Sequence, residues 1–71
     1  MIPKDSAVLK EFISKMGQLT NSRNFVKGAI IQANSEENLQ LLIDYMNEHP
    51  KATYSDVMYH LAEIEGIVVD S

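Results

Sequence analysis

The chain has 71 residues, 45% hydrophobic and 23% charged, with a net charge of −4 and no cysteine. That composition excludes a disordered polymer, and the missing cysteines exclude disulfide staples and thiolate metal sites. One small helical domain over residues 1–71 is expected, with so little interior that good helix packing or a partner chain must complete its stability.

The first helix is predicted over residues 7–17. Ser6 is placed to accept from a free amide of the first turn. Val8, Leu9, Phe12, Ile13, Met16 and Leu19 then recur at three- and four-residue spacing, with Lys10, Glu11, Ser14 and Lys15 opposite. Gly17 is expected to end this helix in a left-handed conformation. Thr20-Asn21-Ser22 forms a turn, and Ser22 is the expected cap of a second helix. Phe25, Val26, Ala29, Ile30 and Ala33 share one helical face. Against a helix over residues 24–33 stand the β-branched Val26, Ile30 and Ile31 and the weak helix former Gly28. The alternative is a short strand through residues 29–32 paired with Ile67-Val68-Val69, which would make the fold α+β.

Ser35 caps the third helix, and Glu36 and Glu37 sit where the positive end of its dipole favours carboxylates. Leu39, Leu42, Ile43 and Met46 form its core stripe, with Tyr45 at the edge, and Pro50 stops it near Glu48 or His49. Thr53 caps the fourth helix, and Asp56 three residues later gives a near capping box. Val57, Leu61 and Ile64 form its core line, flanked by Tyr54 and Met58, and Gly66 ends it. The fold class is therefore all-α, a compact bundle of four short helices, with the two-stranded pairing of 29–32 and 67–69 as the alternative.

Charge is distributed unevenly along this chain. Residues 1–34 carry Lys4, Lys10, Lys15, Arg23 and Lys27 against Asp5 and Glu11, a net +3. Residues 35–71 carry Lys51 against eight carboxylates, a net −7. Such a chain can pair its halves internally, pair with a copy of itself, or offer an acidic face to a basic partner.

Catalytic chemistry finds little support. His60 has Asp56 at i−4 and Glu63 at i+3, which places an imidazole beside two carboxylates on the outer face of the fourth helix. A structural metal normally wants at least three strong ligands, so weak ion pairing at the helix surface is the expected role. His49 precedes Pro50 in a turn, where it would cover the carbonyl end of the third helix. The serines act as caps or surface residues, the three glycines are isolated, and no phosphate-cradling loop exists. No enzyme activity, cofactor or metal is expected.

The segment Leu39–Gly66, two amphipathic helices joined by His49-Pro50-Lys51-Ala52, resembles the opening of a helix-turn-helix. Its acidic half would be repelled by phosphates, and no recognition helix follows Gly66. Lys10, Lys15, Arg23 and Lys27 could instead line a phosphate-contacting strip, and the −7 half could mimic nucleic acid; both remain alternatives.

The signal that stands out is apolar side chains lying off their own core stripes. Leu41 projects on the side of Glu37, Asp44 and Glu48, while Tyr59 sits amid Ser55, Asp56 and Glu63, and Ile31 falls out of line on the second helix. The expected function is a small protein–protein interaction module with a regulatory or accessory role, associating with itself as a homodimer or with a basic protein. Leu41, Tyr45 and Tyr59 would be the anchors, and Glu37, Asp44, Asp56 and Glu63 the acidic rim. The apolar stretches are far too short to span a membrane and no signal-like leader opens the chain, so a cytoplasmic location is expected.

Overall fold

A computed structural model describes residues 2–66, which form four helices: α1 (Ala7–Met16), α2 (Arg23–Ala33), α3 (Glu36–Glu48) and α4 (Tyr54–Ile64). No strand occurs among the described residues, and the fold is an all-α bundle of four helices. Every helix begins on a hydroxyl cap. Ser6, Ser22, Ser35 and Thr53 are extended, and each side chain accepts from the backbone N–H three residues on. At Thr53 the cap is reciprocal, because its own N–H donates to Asp56 Oδ2 at 3.0 Å.

α3 is the central element and packs against each of the other three helices. It contributes Leu39, Leu42, Ile43 and Met46 to the core; α1 contributes Phe12 and Met16, and α4 contributes Val57 and Leu61. α2 enters with nothing larger than Ala29 and Ala33 buried. α2 thus meets the core through small side chains. Asn38 secures the contact by donating from Nδ2 to the Ala33 carbonyl at 2.9 Å, which ties the start of α3 to the end of α2.

Residues 29–32 lie inside α2, so their strand reading is corrected. The Ser22 cap and the alanine face outweigh the β-branched side chains of Val26, Ile30 and Ile31, a case of tertiary context overriding propensity. The proposed partner strand, residues 67–69, lies outside the described residues.

Two further expectations are corrected. Gly17 is right-handed (φ −62°, ψ −20°), because its N–H still bonds to the Ile13 carbonyl and the chain continues through a tight turn to Thr20. The left-handed cap belongs to Asn34 (φ 59°), which ends α2, while Gly66 (φ 74°) follows the last turn of α4. Ile13 and Phe25, both assigned to core stripes by spacing, are exposed. Ile13 opens into a groove between α1 and α2, whereas Phe25 lies outside that groove and stacks on Tyr54 of α4.

Candidate interaction surface

The off-stripe apolar residues are exposed as expected. Leu41 is 43% exposed, Tyr59 57% and Ile31 70%. Helical spacing gives Leu41 the neighbours Glu37 (i−4), Asp44 (i+3) and Tyr45 (i+4), with Glu48 two turns on. Glu37, Asp44 and Glu48 are all exposed. Asp44 is held by its own helix, accepting from Gln40 Nε2 at 3.0 Å. Tyr59 lies between Asp56 (i−3) and Glu63 (i+4) on α4.

Tyr45 departs from the role of a free anchor. It is half-buried, and its ring stacks on His60 with centroids 4.3 Å apart and planes 18° apart. His49 packs on the same ring at 4.5 Å. The phenol is thus held between two imidazoles, and the stack joins the Leu41 side of α3 to the side of α4 that carries Asp56 and Glu63. His60 is consequently part-buried beneath Tyr45 and not fully on the outside, with its Nδ1 3.9 Å from Glu63 Oε1. His49 is the C-cap residue of α3, its backbone N–H donating to the Tyr45 carbonyl at 2.9 Å, while its ring packs on Tyr45.

Of the rim carboxylates, Asp56 has a structural duty in the α4 capping box. It also borders an open hollow shared with Tyr45, Glu48 and Pro50. Glu48 of α3 and Asp56 of α4 thus border one hollow together with Lys51, while Glu37, Asp44 and Glu63 do not line it. Spacing reveals the faces of single helices, but the Tyr45–His60 contact depends on how α3 and α4 cross, which no local pattern encodes.

The cations are placed differently. Arg23 and Lys27, one turn apart on α2, border the groove against α1. Lys15 borders a separate hollow with Met46, His49 and Pro50. Lys10 is exposed on α1 one turn before Ile13. Internal pairing of the two halves is not seen: Lys15 faces the end of α3, yet among the described residues no lysine or arginine lies within 4.0 Å of a carboxylate. Among the described residues the cations of the first half and the carboxylates of the second are therefore not paired with one another.

The groove between α1 and α2 was not singled out by sequence. Its volume is about 840 Å³, and it is lined by the apolar Ile13, Val26 and Ile30, the cations Arg23 and Lys27, and polar residues of the α1–α2 turn. The signal that could have found it is the pairing of two cations at i, i+4 with an adjacent β-branched stripe on a helix that buries only alanines.

Among the described residues, no three histidine, aspartate or glutamate side chains gather to hold a metal, and no buried side-chain nitrogen or oxygen lacks a hydrogen-bond partner. No helix among them is long and apolar enough to cross a membrane. No family model matches the chain, no curated protein matches it in sequence, and no solved structure matches it.

Proposed function

We propose that this chain is a small protein–protein association module with an accessory or regulatory role, binding a basic surface on another copy of itself or on a second protein. The observation that carries the reading is the pair of exposed anchors, Leu41 and Tyr59, each bordered on its own helix by carboxylates. Leucine and tyrosine in such positions gain free energy only when something covers them, and an acidic rim selects the partner by charge. The uncompensated separation of charge adds support, since charges paired within the molecule would have little left to steer a partner. Cysteine-free composition fits a role in the cytosol.

The test replaces Leu41 and Tyr59 together with serine. Far-ultraviolet circular dichroism should be unchanged, because neither side chain belongs to the core. Mass in solution, followed by light scattering behind a sizing column, should shift toward the monomer. Association that survives both substitutions removes these residues as anchors.

A further inference from the structure

The groove between α1 and α2 has the composition that the Leu41 face of α3 lacks. Its apolar lining is Ile13, Val26 and Ile30 and its charged lining is cationic (Arg23 and Lys27), with Thr20, Asn21, Ser22 and Asn24 as its polar lining. Ile13 is 44% exposed there, so the apolar lining is open to a visiting side chain. α2 carries two cations and no acid, while α3 carries Glu36, Glu37, Asp44 and Glu48 and no base. The two surfaces share no residue, and within one molecule their charges do not meet.

We propose that this groove receives the α3 face of a second copy of the chain, joining the molecules head to tail. The inference rests on the association reading above and names its partner surface. Leu41 would settle over Ile13, Val26 and Ile30, with Arg23 and Lys27 opposing Asp44 and Glu48. Charge complementarity decides which surfaces meet. Two acidic faces placed against each other would bring carboxylate against carboxylate and two grooves would bring cation against cation; only groove against face pairs opposite signs. A heterologous contact leaves one groove and one face unfilled at the ends, so association proceeds past two copies unless the rotation closes a ring.

The experiment uses two variants of the full chain. Arg23→Glu with Lys27→Glu reverses the charge of the groove and leaves the face intact. Leu41→Glu removes the anchor and leaves the groove intact. All three positions are exposed, and glutamate is a good helix former, so circular dichroism should report unchanged folds. Each variant alone should self-associate about tenfold or more weakly than the wild type. Mixed one to one they should form a heterodimer that stops at two, because the remaining groove and the remaining face are both acidic. A mixture that stays monomeric overturns the proposal. If Arg23→Glu with Lys27→Glu associates as the wild type does while Leu41→Glu does not, the groove is not the receptor, though Leu41 remains an anchor. A wild type that stays monomeric at millimolar concentration overturns both the head-to-tail contact and self-association.

Discussion

Leu41 and Leu42 are neighbours on one helix with opposite environments, and replacing each with alanine separates the fold from the surface. Leu42 is fully buried, whereas Leu41 keeps 43% of its surface exposed. Helix propensity barely distinguishes leucine from alanine, so the difference between the two variants reports burial. Leu42→Ala loses transfer free energy and leaves a cavity, a cost of about 3 kcal/mol in a range of roughly 2–5. Burying a whole leucine side chain contributes about 1.5–3 kcal/mol. Leu41 realises only about half of that, and water fills the space its side chain leaves, so Leu41→Ala should cost about 1 kcal/mol. A domain of this length has a total stability of about 4–10 kcal/mol, so the first change consumes a large share of it and the second does not. Thermal melts followed by circular dichroism convert these costs at about 4–8 °C per kcal/mol. The expected fall is therefore about 12–24 °C for Leu42→Ala and about 4–8 °C for Leu41→Ala at micromolar concentration. Repeating the melts at rising concentration adds the second half of the test. Association stabilises whatever state it binds, so the wild-type midpoint should climb with concentration while that of Leu41→Ala stays nearly flat. Equal losses from the two substitutions would put Leu41 in the core. An unchanged concentration dependence would show that Leu41 anchors nothing.

Two other changes test local features. Gly28 lies inside α2, and a Cβ added there meets no other atom within 4 Å. Gly28→Ala should therefore stabilise the chain by about 0.5–1 kcal/mol, raising the thermal midpoint by a few degrees; a fall would contradict a helix through residues 24–33. Thr53→Ala deletes the hydroxyl that accepts from the Asp56 N–H at 3.3 Å and should cost about 1 kcal/mol. Because Asp56 itself remains, the solution mass at temperatures well below the melt should not change, and a loss of association would show that the cap shapes the binding surface.

The helix starts were legible because they are local. A serine or threonine followed by an amphipathic stripe determines both the cap and the first turn, and the hydroxyls at Ser6, Ser22, Ser35 and Thr53 behave accordingly. Helix ends were less so. Gly17 and Asn34 both permit a left-handed residue, yet which of them adopts it depends on where the following segment must travel, and that is set by packing. Ile13 and Phe25 show the same limit at the level of burial. Their spacing puts them on apolar stripes, but the width of stripe that a small bundle covers depends on the angle between helices. Phe25 has instead found Tyr54, with ring centroids 5.1 Å apart, a contact between residues 29 positions apart in the chain. Leu41, Tyr59 and Ile31 were legible as exposed because each lies opposite the buried line of its own helix; Tyr45 was not, since its stacking partner is on another helix.

The unpaired charges carry a final argument about what this surface is for. An exposed ion pair stabilises a fold by only about 0–1 kcal/mol, so bridging α2 to α3 within one molecule would add little to stability. The bundle is held by Phe12, Met16, Leu39, Leu42, Ile43, Val57 and Leu61, none of which needs those charges. The same charges act differently when they remain outward and separated by sign. Several like charges on one face sum to a field that reaches about 8–10 Å through physiological salt, enough to orient an approaching partner before any side chain touches. In the proposed contact Leu41 would supply the apolar burial that the field cannot. Under the proposed association the chain would keep stability and recognition on separate residues: the inward faces of α1, α3 and α4 for the first, and the outward faces of α2, α3 and α4 for the second.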